Sequence, residues 1–392
     1  MSATAIIVIL TLTTWYSATA VTVDLTRDWG QSGSQIAWLT NAVQLGFVIG
    51  AILSAFLSIS DVFSLVKVIA VSAALAGLFN ALLLLQTGPS GAILARFFTG
   101  MALAGVYPPA LKLMATWFTT GRGLALGLLV GALTLGSALP YLLQGFGAGA
   151  SWRAIVVLTS IMAIAAGVFA LFTLGEGPAP FAKSKVNPRL MAQVVRQKSV
   201  MLANYGYFGH MWELYAMWGW FLAYSRAASE SGLVIANASW LTFAVIAAGA
   251  PGCVFGGWLA DRIGRCRTTA LMMAISGSSA LLIGFFFAGP TWIFVTVALI
   301  WGATVVADSA QFSAAVTELS DPRFVGSALA FQMGIGFSIT IVAVWVTPRI
   351  ADFLGSWQWA FLILLPGPIL GILAMLKLRK HPDSHMLAGG LK

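Results

Sequence analysis

Charge is scarce in this sequence. Only 8% of its 392 residues are Asp, Glu, Lys or Arg, against about a quarter in an ordinary soluble domain. With 59% hydrophobic residues and a mean hydropathy of +0.91, that shortage excludes a soluble globular fold. Histidine and cysteine are scarcer still, with three and two residues. Cys253, in an apolar run, and Cys266, in a basic loop, make no disulfide framework. The few His and Cys are not grouped as metal ligands, so no metal or cofactor is expected. His210 has no Cys or Ser partner at a recognisable nucleophile spacing, which argues against a membrane enzyme.

Long apolar runs fill the remainder. Each membrane helix needs about 20 apolar residues, and the chain offers twelve candidate spans: about 3–23, 36–59, 66–87, 91–117, 122–144, 153–174, 199–224, 234–257, 268–288, 291–316, 325–347 and 357–376. The expected fold is all-α, because within a bilayer a helix satisfies its own backbone polar groups. The net charge of +9 invites a nucleic-acid reading, but the distribution argues otherwise. With a cytosolic N-terminus, sixteen of the 21 Lys and Arg fall on the cytosolic side. Four (Arg27, Arg153, Arg226 and Arg349) fall outside, and Arg96 lies within a span. This positive-inside pattern puts both termini in the cytosol of a bacterial-type inner membrane. The first span has no basic residue ahead of it and reads as an uncleaved helix. Residues 175–198, basic and proline-containing, read as a cytosolic linker between 1–174 and 199–376, with 377–392 as a cytosolic tail.

One span holds both an acid and a histidine. The stretch 204–221 carries His210 and Glu213, three apart and therefore about 60° apart on one helix face. A charge at mid-membrane costs roughly 2.5–3.5 kcal/mol on insertion scales, so such an acid is a functional candidate by default. A carboxyl group out of water favours its protonated form, which makes Glu213 the candidate proton carrier. The alternatives are a structural hydrogen-bond partner for Glu213 and a packing residue for His210. Arg96 is permanently charged: it binds an anion or takes part in coupling, or it pairs with an acid such as Glu213 or Asp308. Asp308 is a cavity residue or a polar gate. Lys112 snorkels from a span end.

The halves repeat. Asp261 follows Asp61 by 200 residues, Gly302 follows Gly100 by 202, Arg323 follows Arg122 by 201 and Trp357 follows Trp152 by 205. A near-constant offset implies a duplicated six-helix unit, and parallel repeats of this kind place a substrate site at their interface near the bilayer midplane. The fourth span is interrupted by Gly100, Gly105 and Pro108-Pro109, a pointer to a transport site.

At this point the chain resembles the major facilitator superfamily of secondary transporters over essentially its whole length. The most specific piece is Gly257-Trp-Leu-Ala-Asp261-Arg262-Ile-Gly264-Arg265-Cys-Arg267, which matches the family's cytosolic loop motif. Gly257 is expected to allow close helix approach, Asp261 to pair with a basic group or a helix N-terminus, and Gly264 to turn the chain. In the family this loop latches neighbouring helices and biases the inward–outward equilibrium. The first-half copy keeps Asp61 but has Leu57, Val62, Ser64 and Leu65 at the other motif positions. Arg96 with Gly100 and Gly105 resembles the family's fourth-helix arginine motif, tied to proton coupling or anion contact. The general look is similar to nitrate- and cyanate-type permeases, without a doubled-glycine signature. The resemblance implies a cavity lined by the first, fourth, seventh and tenth helices, with Trp15, Tyr16, Arg96, Tyr107, His210, Glu213, Trp212, Asp308 and Gln311 as candidates to face it.

The expectation is therefore a proton-coupled transporter of a small solute, leaning to a small organic or inorganic anion, working by alternating access. Its partners would be solute, protons and membrane lipids, with no nucleic acid, and it would function as a monomer. The alternative is drug/proton antiport, in which aromatic side chains would receive amphipathic cations.

Overall fold

The structure, a computed structural model, describes every residue except 31–32, 58, 119–121, 147–150, 179–194 and 322–324. Arg323 and most of the expected linker lie outside the described residues, as do the side chains of Asp61 and Arg122. Among the described residues the regular structure is helical throughout. In chain order the helices are α1 Ser2–Ala20, α2 Thr22–Trp29, α3 Gly33–Phe56, α4 Ile59–Val62, α5 Leu65–Ala81, α6 Pro89–Leu103, α7 Tyr107–Trp117, α8 Arg122–Phe146, α9 Trp152–Thr173, α10 Lys198–Glu230, α11 Ala238–Ala247, α12 Gly249–Ile263, α13 Arg265–Phe285, α14 Thr291–Thr304, α15 Ser309–Leu319, α16 Val325–Leu354 and α17 Pro366–Arg379. Ten helical stretches among the described residues are long and apolar enough to cross a membrane, from Ser2–Ala20 to Ala360–Arg379.

The chain divides into two compact units: Met1–Lys183 with Ala236–Ala244, and Ser184–Ile235 with Val245–Lys392. In unit 1, α1 packs on α8 and α9, α3 on α6, and α5 on α6 and α9. In unit 2, α10 packs on α15, α16 and α17, and α13 on α14 and α17.

The repeat reappears atom by atom. A Cβ added to Gly100 would stand 2.0 Å from the Val43 carbonyl oxygen, and one added to Gly302 would stand 1.8 Å from that of Val245. Likewise Gly50 would meet the Met101 oxygen at 2.6 Å, and Gly252 the Ala303 oxygen at 2.0 Å. Each of these residues has its counterpart 202 positions on. Both units thus use glycine to bring one helix backbone against another, the small-residue packing expected within lipid. Gly256 serves the same purpose, 2.1 Å from the Ala307 oxygen, whereas a Cβ at Gly257 would meet open space. The close approach expected at Gly257 therefore falls one and five residues earlier, because Gly252 and Gly256, four apart, share the inward face of α12. Gly100→Ala and Gly302→Ala are each expected to lower stability by about 1–3 kcal/mol, as overpacking does, while Gly257→Ala is expected to change it by less than about 0.5 kcal/mol. Thermal melts of the three variants in detergent make the comparison; equal melting temperatures would contradict this packing.

Both units also contain a broken span. The fourth runs as α6 and α7 with a turn at 104–106 between them, and the tenth as α14 and α15 with a turn at 305–308. In unit 1 the cause is visible, since Pro108 and Pro109 have no N–H to give the carbonyls of Ala104 and Gly105. They sit in the first turn of α7, where proline is tolerated, so the helix breaks upstream of them. In unit 2 no proline marks the break, and Asp308 stands at the N-cap position of α15 without a side-chain capping bond.

Candidate functional site

Three titratable side chains meet inside unit 2. α10 buries Glu213 and His210, each 2% exposed, and the break between α14 and α15 buries Asp308 at 1%. Glu213 accepts two hydrogen bonds: Oε1 from Trp301 Nε1 at 2.7 Å and Oε2 from Ser276 Oγ at 2.9 Å. His210 turns to a different neighbour. Its Nδ1 stands 2.9 Å from Asp308 Oδ1, close enough for an ion pair if the ring is protonated but without the alignment of a hydrogen bond. Its Nε2 has no hydrogen-bond partner among the described residues, and its ring lies 5.5 Å from that of Phe312 and 6.0 Å from that of Tyr207. Asp308 is within electrostatic reach of Glu213. No Lys or Arg among the described residues forms an ion pair with either acid. Two carboxyl groups thus lie buried in unit 2 with no cationic side chain paired to them among the described residues.

The shared face of His210 and Glu213 therefore does not make them partners. On α10 their 60° separation aims Glu213 at α13 and α14 and His210 at Asp308. Trp301 and Ser276 were not among the expected residues, although an indole N–H within a span needs an acceptor. The neighbouring Trp212 points elsewhere, its Nε1 donating to the Ile363 carbonyl at 2.8 Å. Gln311, one turn into α15, goes to the loop motif instead of to His210, its Oε1 accepting from Arg265 Nη1 at 2.6 Å.

Unit 1 holds Arg96 on α6 with 0% exposure. Nη1 donates to Thr14 O at 2.7 Å, Asn80 Oδ1 at 2.8 Å and Ser17 Oγ at 3.1 Å, and Nη2 donates to the Trp15 carbonyl. Asn80 on α5 is fixed in turn by Ser160, Thr159 and Val156 of α9. Helices α1 and α5 thus meet the guanidinium carried by α6, and α9 backs Asn80. Every acceptor is neutral, Arg96 forms no ion pair among the described residues, and Nε has no hydrogen-bond partner there. Its positive charge is solvated but not neutralised. Trp15 and Tyr16 of α1 are buried nearby in sequence, Trp15 with its ring 5.0 Å from Phe47 and Tyr16 6.0 Å from Tyr141. Tyr107 opens α7 and is buried.

The loop motif divides its expected roles. Gly264, between α12 and α13, has φ +89°, a conformation open to glycine but not to side chains. Arg265 ties α13 to α15: Nε and Nη2 form a fork on Glu318 at 2.8 and 2.5 Å, the bidentate geometry a guanidinium favours. Arg262 lies over the Trp258 ring at 4.1 Å. Asp261 is exposed and makes no hydrogen bond or ion pair among the described residues, so the anticipated pairing passes to Glu318. Ala388, in the C-terminal tail, donates its backbone N–H to the same Glu318 at 3.0 Å.

An all-helical membrane protein built as a tandem repeat, with broken helices and buried charged groups beside the breaks, has the architecture of a secondary transporter. The chain belongs to the Major Facilitator Superfamily, whose family model matches residues 4–236 and 205–390. It is 23% identical over 367 residues to the hexuronate transporter of Bacillus subtilis, covering 88% of this chain and 86% of that one. It is 22% identical over 411 residues to the 4-hydroxybenzoate transporter PcaK of Pseudomonas aeruginosa, covering 92% and 88%. Its fold matches the nucleoside transporter NupG (TM-score 0.71, 14% identity, 96% and 98% covered) and the proton:xylose symporter XylE (TM-score 0.72, 16% identity, 96% and 95% covered). It is a transporter and not an enzyme.

Proposed function

We propose that this protein moves a small carboxylate anion across the membrane by alternating access, coupled to protons. The observation that carries the coupling is the buried group His210, Glu213 and Asp308, which has two acids and, among the described residues, no arginine or lysine paired with them. Glu213 carries the proton, and His210 with Asp308 relays it. Arg96 supplies the positive potential for the anion, since a buried guanidinium surrounded by neutral acceptors still attracts an opposite charge. The two relatives bear the names of carboxylate transporters, hexuronate and 4-hydroxybenzoate, which supports an organic acid over an inorganic anion.

In this reading the bilayer is crossed twelve times, by the ten apolar stretches together with α3 and the 33-residue α10. Both termini and the loop motif face the cytosol of the inner membrane, and a monomer suffices because one chain supplies both units. The test is uptake into proteoliposomes of radiolabelled organic acids, inorganic anions and lipophilic cations, with and without a pH gradient. Uptake of organic acids, altered by the gradient, is expected. Uptake of lipophilic cations alone would make the protein a drug/proton antiporter.

A further inference from the structure

The last helix leads from lipid into a basic cavity. α17 exposes Ile369, Leu370, Leu373 and Leu376 at 54%, 62%, 59% and 41%, a stripe at helical spacing. Leu376 stands at the lip of a cavity of about 480 Å³ whose other lining residues are Arg379, Lys380 and Lys392. Lys392 arrives there because the tail folds back on unit 2. Ser199 Oγ donates to Asp383 Oδ2 at 2.6 Å, and Ala388 N donates to Glu318. The acids of the neighbourhood are occupied: Glu318 by Arg265, and Asp383 by Ser199, with His381 at 3.6 Å. Among the described residues, the cavity is therefore lined by three cationic side chains and no acidic side chain.

We propose that this cavity binds the phosphate headgroup of an anionic phospholipid, with an acyl chain along the exposed leucine stripe. Phosphate chemistry follows from the three cations, Arg379 offering the fork that grips phosphate oxygens. A lipid source follows from the stripe, which runs without interruption to the cavity mouth; cationic pockets at helix ends are suited to such headgroups. The bound phosphate ties Lys392 to Arg379 and Lys380, and so holds the tail against Glu318, the partner of the loop motif's Arg265.

The experiment uses the full-length protein in detergent, with native mass spectrometry and thermal melting against phosphatidylglycerol, phosphatidylcholine and inorganic phosphate. Phosphatidylglycerol is expected to be retained and to raise the melting temperature. The triple variant Arg379→Gln/Lys380→Gln/Lys392→Gln is expected to bind it about a hundredfold more weakly, at roughly fivefold per cation. Lys67→Gln, which removes one exposed charge elsewhere, is expected to bind normally. Lys380→Glu, at an exposed position that leaves folding intact, gives a second reading and is expected to bind more than fivefold more weakly. Undiminished affinity in these variants, equal binding of phosphatidylcholine, or the same stabilisation by inorganic phosphate alone would overturn the lipid site.

Discussion

Glu213→Gln is expected to abolish proton-driven accumulation while leaving exchange of solute for solute in place. Glutamine keeps the length of the side chain. Its carbonyl oxygen can still accept from Trp301 Nε1, and its amide can donate to Ser276 Oγ, which accepts as readily as it donates. The fold and the packing of α10 are therefore preserved, and the titratable proton is lost. For one proton moving with one monovalent anion, a pH difference of one unit sustains about a tenfold concentration ratio, because each unit corresponds to about 1.36 kcal/mol. The variant is expected to reach a ratio of one. Radiolabelled uptake under an imposed pH difference, with counterflow as the control, measures both. Tenfold accumulation by the variant would remove Glu213 from the coupling path.

Arg96→Ala is expected to cost both stability and affinity for the anion. It removes four hydrogen bonds from a charged donor and leaves Thr14 O, Trp15 O and Asn80 Oδ1 short of a partner. Unpairing a buried charged network costs several kcal/mol, roughly 3–5. Arg96→Lys separates the two effects. Lysine keeps the charge but is a point donor without the planar fork, so it satisfies one or two of the four acceptors. With the charge-assisted bonds worth about 1.5–3 kcal/mol each, loss of anion contact in Arg96→Ala raises KM about tenfold to 150-fold per folded protein. Arg96→Lys is expected to melt lower than wild type yet retain a KM nearer to it. Parallel loss of melting temperature and transport rate at unchanged KM in both variants would make Arg96 purely a structural clasp.

Much of the scaffold was legible because membrane helices obey length and hydropathy, and because the duplication left landmarks. The glycine pair Gly100 and Gly302 marks the repeat in the sequence and makes the same contact in both units. Breaks were half legible. Prolines announce the one ahead of α7, but the one ahead of α15 has no such signal and left Asp308 looking like a residue within a continuous span. The partners were least legible. A period of 3.6 residues places His210 and Glu213 on one face, yet which helix each meets depends on rotations and crossings that a single sequence does not contain. Gln311 illustrates the same limit, being drawn to Arg265, and so does Glu318, whose pairing with Arg265 is invisible until α13 and α15 are side by side. Asn80 gave no signal, and Ser17 stood only as a polar residue near the middle of the first span, for the opposite reason: polar residues too ordinary to carry a role become specific only when they converge on Arg96.

Coupling is the central claim, and the most direct measurement is internal pH. Proteoliposomes loaded with a pH-sensitive dye and no imposed pH difference are given a gradient of the transported organic acid. The internal pH is expected to shift in wild type, in the direction set by whether proton and anion travel together or in exchange, and to stay constant in Glu213→Gln at equal protein density. A solute flux of normal size with no pH change in wild type would contradict proton coupling and leave a uniporter.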